Sequence, residues 1–303
     1  MIDAQNLTKK FDETTAVEGL TFHIDEGEVF GFLGPNGAGK TTTVRMLCCL
    51  ISKTGGEARI AGYEVGNAAD SLKIRKMIGL VPDNVGLYNE LSAYENLDFY
   101  GKLYECAEKL RKENIEHFLK MLGLWEKKDA AARTLSKGMK QKLAIARALI
   151  HEPKVLFMDE PTANLDPEAA KTVRDFILEL KKEKRTIFLN THNLDEAQRI
   201  CDRIAILKTR LLTIGTPEQL KESLGGVKTE IQLAQVNDAI VSAVKKVTTH
   251  KVEISGNKLI IDVGNVDTAN PAIIEAIVSA GGRIQLVTEL SPTLEDVYLK
   301  TVK

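Results

Sequence analysis

Through the first two-thirds of the chain, short continuous apolar runs alternate with segments whose apolar residues recur every three or four positions. VFGFLG (Val29–Gly34), IGLVP (Ile78–Pro82), KVLFMD (Lys154–Asp159) and RTIFLN (Arg185–Asn190) are too short for helices and read as buried strands. Between them, Lys40–Ile51, a block from Ser92 to Leu122 and PEAAKTVRDFILELKKE carry helical spacing. In the middle block Leu97, Leu103, Phe118, Leu119 and Leu122 set that spacing, and Tyr94, Phe99, Tyr100 and Tyr104 are expected mostly in the core. The rhythm is βαβ, which predicts an α/β fold with a parallel sheet covered by helices.

The texture changes after LGGV (Leu224–Val227). TEIQLA reads as a strand, NDAIVSAVKKV as a helix and KVEISGNKLIIDV as a hairpin turning at Gly256-Asn257. NPAIIEAIVSAGG follows as a helix with proline near its start, then RIQLVTEL as a strand and SPTLEDVYLKTVK as a last helix. The order βαββαβ predicts a small ferredoxin-like α+β domain. The expected division is residues 1–224 and 227–303.

Composition narrows the setting. With 303 residues, 44% hydrophobic, the chain can build one large or two medium cores. A net charge of -1 gives no global field toward nucleic acid or anionic lipid, so neither is expected as a partner. No apolar run approaches a membrane span, and the N-terminus lacks the plan of a secretory signal. If the protein acts at a membrane, another polypeptide supplies the spans. Cys48, Cys49, Cys106 and Cys201 show no CxxC spacing, which favours free thiols in reducing cytosol over a metal or redox site.

The chemistry is concentrated in a few segments. GPNGAGKTT (Gly34, Pro35, Asn36, Gly37, Ala38, Gly39, Lys40, Thr41, Thr42) satisfies G-x-x-x-x-G-K-[ST] after a strand and before a helix. Its backbone N–H groups can curl around phosphate oxygens. Lys40 would neutralise the β- and γ-phosphates of ATP, and the Thr41 hydroxyl would ligand Mg²⁺. Asp159 ends an apolar strand, where a carboxylate needs a reason; contact with Mg²⁺, through water, supplies one. Glu160 beside it is placed to polarise an attacking water. His192, after the next strand, either makes structural hydrogen bonds or reaches a γ-phosphate. LSKGMKQKLAIARAL (Leu135–Leu149) begins a second helix with a capping serine and a glycine, Leu143, Ile145, Ala146 and Leu149 facing inward.

Over roughly residues 1–220 these motifs, in their order, resemble an ATP-binding cassette (ABC) ATPase: GPNGAGKTT, LSKGM, VLFMDEP, ANLDP (Ala163–Pro167) and Thr191-His192. The resemblance implies a P-loop NTPase cassette with a β-rich N-terminal part and a helical subdomain at about 84–150. It implies head-to-tail dimers with two ATP molecules between the subunits, in which Ser136 and Gly138 face the triphosphate of the partner copy. It also implies that Asp166 communicates across the seam and that Phe11 stands where an aromatic stacks on adenine, although a packing role is open to that ring. LSKGM departs from the commoner LSGGQ at Lys137 and Met139. Where the family usually has a glutamine that touches Mg²⁺, this chain has Asp83. Asp83 as ligand, substitution by Asn84, and loss of the contact all stay open. The segment ELSAYENLDFYGKLY is similar to the groove that receives a helix of the membrane subunit.

The leading expectation is the ATPase subunit of a membrane transporter, exporter-like by resemblance. It would be cytoplasmic, held at the inner face of the membrane by a separate permease, and able to work as a homodimer. The alternatives are a soluble ABC-type ATPase acting on nucleic acid or ribosomes, and a regulatory binder without turnover. The first usually has two cassettes or a heptad insertion, which this chain lacks. Glu160 and His192 argue against the second.

Overall fold

The structure is a computed structural model that describes residues 1–224, 228–263, 266–290 and 292–302. It divides into two compact units, Met1–Pro217 with the chain end from Thr301, and Glu218–Lys300. Most of the LGGV segment lies outside the described residues. The division falls ahead of it, so residues 218–224, expected with the first domain, belong to the second unit.

The first unit opens with β1 (Ile2–Phe11) and β2 (Thr14–Ile24), followed by β3 (Val29–Leu33), α1 (Lys40–Leu47), β4 (Gly55–Ile60) and β5 (Tyr63–Glu64). Next come α2 (Ala68–Met77), β6 (Ile78–Val81), α3 (Ala93–Leu103), α4 (Glu108–Met121) and α5 (Lys137–Leu149). β7 (Val155–Asp159), α6 (Pro167–Lys182), β8 (Thr186–Thr191), α7 (Leu194–Ile200), β9 (Arg203–Lys208) and β10 (Arg210–Gly215) complete it. Strands β2-β1-β4-β5 form an antiparallel sheet, and β10-β9-β3-β8-β7-β6 form a second. Within the second, β9, β3, β8, β7 and β6 are parallel, with β10 antiparallel at the edge. The expected parallel core and β-rich N-terminal part are both present.

The core lies where the two sheets face each other. Phe22 of β2 packs on Phe30 and Phe32 of β3, and Phe188 of β8 joins Phe32 and Phe157 at centroid distances of 5.0 and 5.4 Å. All but Phe22 are fully buried, and each contributes about 1.5–3 kcal/mol by burial alone. Parallel strands buried on both faces explain the continuous apolar runs. Because β3, β6, β7 and β8 are parallel, the loops after them leave the same sheet edge, where open α/β sheets bind ligands.

Two expectations are corrected and one is refined. The first helix stops at Leu47, and Cys49 at φ 55° turns the chain away before Ile51. The block from Ser92 is two helices, since Glu105 takes φ 59° between α3 and α4. Its aromatics are not core: Phe99 is 41% exposed, Tyr94, Tyr100 and Tyr104 are half-buried, and Leu103 is 65% exposed.

The second unit takes in α8 (Pro217–Glu222) from Glu218, then β11 (Lys228–Leu233), α9 (Asp238–Val247), β12 (Val252–Ser255) and β13 (Lys258–Asp262). It continues with α10 (Val266–Ser279), β14 (Ile284–Leu290) and α11 (Leu294–Val302) as far as Lys300. The sheet β12-β13-β11-β14 is antiparallel throughout, the ferredoxin-like order expected from βαββαβ. Ile231, Leu233, Leu259 and Ile261 of the sheet form its core with Ile240, Val244, Ile273 and Ile277 of the helices. The hairpin turns at Gly256-Asn257, with Gly256 at φ 57°. Pro271 lies inside α10 rather than near its start.

Candidate nucleotide site

β3 ends at Leu33 and the phosphate loop follows. Gly39 sits at φ 95° with Ala16 of β2 so close that a Cβ would lie 2.5 Å from its carbonyl oxygen. Any side chain here meets both the left-handed backbone and that contact, which accounts for the glycine. α1 then starts at Lys40, its first N–H groups facing the loop. Asn36 to Thr42 line a cleft of about 390 Å³ together with Ala16, Asp83, Asp159 and Glu160. Gly34 and Pro35 take part through their carbonyls, which accept from Lys40 Nζ at 2.7 and 3.2 Å. Burial lowers the Lys40 pKa, while Glu160 and Asp159 oppose that shift.

The end of β7 supplies two carboxylates with different settings. Asp159 is buried, and its Oδ2 accepts from the Thr41 hydroxyl at 2.7 Å. Glu160, the next residue, has φ 53°, a conformation that costs a non-glycine residue on the order of 1–3 kcal/mol. Its N–H donates to the Asn190 carbonyl, and its carbonyl accepts from Ala163. That turn aims its carboxylate at His192, whose Nδ1 lies 2.7 Å from Glu160 Oε2. The His192 side chain is 64% exposed, so one face of this pair is open to solvent.

Asp83 follows β6 and lines the cleft, whereas Asn84 does not. Thr41, Asp159 and Asp83 present oxygen atoms only, a hard donor set that fits Mg²⁺. Phe11, at the end of β1, is outside the cleft lining; it is 46% exposed, with Lys9 Nζ 4.7 Å from its ring centroid.

Ser136, Gly138 and Asp166 form a second group, none of them in the cleft lining. Ser136 Oγ accepts from Met139 N and caps α5; Asp166 Oδ1 accepts from Ala169 N and caps α6. Gly138 is buried where a Cβ would meet Ala169 Cβ at 2.8 Å, so the glycine also lets the two helix tips lie side by side. The inward faces of α5, Leu143, Ile145, Ala146 and Leu149, are fully buried.

Comparison with known proteins bears directly on this arrangement. The pattern of the ABC transporter family matches residues 17–163, and that of the DrrA1-3-like ATP-binding protein C-terminal domain matches residues 215–302. The Nod factor export ATP-binding protein I of Rhizobium sp. (strain N33) is 37% identical over 99% of this chain and 96% of its own. The daunorubicin resistance ATP-binding protein DrrA3 of Streptomyces coeruleorubidus is 31% identical over 98% and 94%. The chain belongs to the ABC transporter ATP-binding proteins. A cassette solved as a dimer with ADP and Pi superposes with TM-score 0.65 at 28% identity, over 71% of this chain and 98% of that one. The chain is thus an ABC ATPase that binds nucleotide. Among the described residues no helix is long and apolar enough to cross a membrane, and proteins of this family act with membrane-spanning partners and dimerise.

Two residues of this ABC subunit were passed over in sequence. Asn190, fully buried at the end of β8, donates from Nδ2 to Asp159 Oδ1 at 3.1 Å. Asp159 therefore has one oxygen held by Asn190 and the other by Thr41. The signal was available: a polar residue ends an apolar strand, the same observation that singled out Asp159. Glu196, in the first turn of α7, is 1% exposed and gave no signal, since acids are ordinary at helix starts.

Proposed function

We propose that this ABC subunit drives export by hydrolysing MgATP between two copies of itself, each bound to a separate permease at the inner face of the cell membrane. The observation that carries this reading is the Glu160–His192 pair at 2.7 Å, beside a phosphate loop whose Thr41 is bonded to Asp159. The backbone from Gly34 to Thr42 cradles the β- and γ-phosphates, with Lys40 released from the loop carbonyls to neutralise them. Thr41 and Asp159 would hold Mg²⁺, with Asp83 as a further oxygen ligand or a contact to its water shell, and the ion's charge would offset that of the phosphates. Glu160 takes a proton from water as its oxygen bonds to the γ-phosphorus and the bond to the ADP oxygen breaks. His192 holds Glu160 in line and reaches the γ-phosphate.

The position of Ser136, Gly138 and Asp166 outside the cleft supports a shared site: the helix tip of one copy would meet the triphosphate held by the other. The exposed ring of Phe11 suits adenine stacking. Tyr88 and Phe99, 47% and 41% exposed with centroids 4.9 Å apart, and Leu103 form an apolar surface fit to receive a short permease helix. Export is supported by full-length relatives named for Nod factor export and drug resistance.

The test is Glu160→Gln. ATP binding is expected to persist, turnover to fall by about 10²–10⁴-fold, and an ATP-stabilised dimer to elute on sizing chromatography. Turnover at the wild-type rate removes Glu160 from the mechanism. Purification from membranes should bring down a multi-span protein; RNA in its place would favour the nucleic-acid reading.

A further inference from the structure

Glu196 is the most buried carboxylate near the site, yet it faces neither nucleotide nor metal ligands. Its Oε2 accepts two hydroxyl hydrogen bonds, from Thr162 at 2.9 Å and from Thr191 at 3.0 Å. Thr162 stands two residues after Glu160, in the segment leading to Asp166, and Thr191 immediately precedes His192. One carboxylate oxygen therefore ties the stretch carrying Glu160 to the stretch carrying His192, in addition to their own contact. Both Glu160 and Asn164 in the tied segment have positive φ, 53° and 58°, a backbone that needs outside constraint to persist. Glu196 is itself anchored, its N–H donating to Asn193 Oδ1, while the Thr191 hydroxyl accepts from Asn193 N. Thus every atom of the bridge is held, except that Oε1 is buried with no hydrogen-bond partner among the described residues.

We infer that Glu196 is a positioning residue for ATP hydrolysis, its carboxylate aligning Glu160 with His192 through the hydroxyls of Thr162 and Thr191. Such a buried carboxylate is a poor choice for stability alone. Burial raises its pKa, and only the two hydroxyls and the charge of Arg174 on α6 work against that shift. A base and its orienting histidine, by contrast, lose much of their effect when displaced by a fraction of an ångström. The bridge places that alignment under the control of the same segment that leads to Asp166.

The inference rests on the roles given to Glu160 and His192, and its test uses the full chain with Mg²⁺ and ATP. Glu196→Ala is expected to lower kcat by about 10- to 100-fold with KM for ATP within about twofold, since ground-state binding is untouched. Glu196→Gln keeps an acceptor oxygen for both hydroxyls and is expected to restore kcat to within about threefold of wild type. In a His192→Ala background the loss from Glu196→Ala should shrink rather than multiply, because both act on one alignment. Should the alanine variant fold poorly, Thr162→Val and Thr191→Val remove the bridge from the other side and are each expected to lower kcat with KM held.

Wild-type kcat in Glu196→Ala or in both valine variants overturns the inference, as does a glutamine variant as slow as alanine or a full multiplicative loss with His192→Ala. The two readings fail separately. Wild-type turnover in Glu160→Gln removes the base while the alanine-to-glutamine comparison still stands. Wild-type turnover in Glu196→Ala removes the bridge and leaves the Glu160→Gln loss intact.

Discussion

At the scale of single residues, the site is a matter of how carboxylates are held. Asp159 has each oxygen engaged, one by Thr41 and one by Asn190, so its orientation is set from two sides. Replacing Asn190 with leucine keeps the branched shape and removes the donor, freeing the Asp159 carboxylate to rotate. Partners of this kind typically matter by 10–100-fold in metal affinity. Asn190→Leu is therefore expected to raise, by about tenfold or more, the Mg²⁺ concentration that half-saturates the metal-dependent part of nucleotide binding. Titration of a fluorescent ATP analogue against Mg²⁺ checks it; an unchanged midpoint would show that Asn190 only fills space. The phosphate loop, Asp159 and Glu160 stood out in sequence because each breaks a local expectation: glycines before a helix, charge at the end of an apolar strand. Asn190 breaks the same expectation more quietly. Glu196 breaks none, because its burial comes from tertiary packing that no local pattern encodes.

At the scale of elements, one side chain joins three. Arg147, near the end of α5 and 8% exposed, donates from Nη1 to the carbonyls of Val85 and Gly86 at 2.6 and 2.7 Å, and from Nη2 to Leu80. Its guanidinium also lies 5.0 Å from the Tyr100 ring centroid on α3. The helix that begins at Ser136 thus grips both the loop that carries Asp83 and the aromatic helix α3. Lysine cannot reproduce this fork geometry. Arg147→Lys is expected to destabilise the first unit by about 1.5–3 kcal/mol, the range for one hydrogen bond to a charged group. It is also expected to raise amide hydrogen exchange between Val81 and Tyr88. Urea unfolding and exchange mass spectrometry measure the two; protection there equal to wild type would refute the grip. Among elements, the parallel strands and the ferredoxin-like order could be read directly, because buried runs and a two-residue hairpin are local signals. The N-terminal sheet could not be read strand by strand. β1 pairs with β2 through register shifts at Ala4/Leu7, Leu7/Lys9 and Lys9/Lys10, and such irregularities scramble the period of two. The aromatics of α3 misled for a different reason: exposed aromatic residues at helical spacing look like core in sequence.

At the scale of the whole molecule, buried and paired histidines make stability depend on pH with opposing signs. His151 is stacked on Tyr104 at a centroid distance of 3.7 Å, with Nε2 3.0 Å from the Ile78 carbonyl and Nδ1 buried without a hydrogen-bond partner among the described residues. Burial holds its pKa below 6.5, despite that hydrogen bond. As pH falls through 6.5 the unfolded chain binds a proton that the folded chain refuses, so the folded state loses stability until its own lower pKa is reached. His23 behaves in the opposite sense: hydrogen bonds to Asp3 and Asp25 raise its pKa, so its contribution is full below 6.5 and is lost as pH rises through the folded value. The wild-type curve shows only the sum, and a difference between variants isolates each part. His151→Gln can still donate to Ile78 but cannot titrate. Its Tm is expected to fall less than that of wild type between about pH 7 and pH 5.5, whereas His23→Gln should fall more. Calorimetry across that interval decides the matter, and parallel Tm curves for wild type and His151→Gln would mean that the buried ring accepts its proton at no cost to the fold.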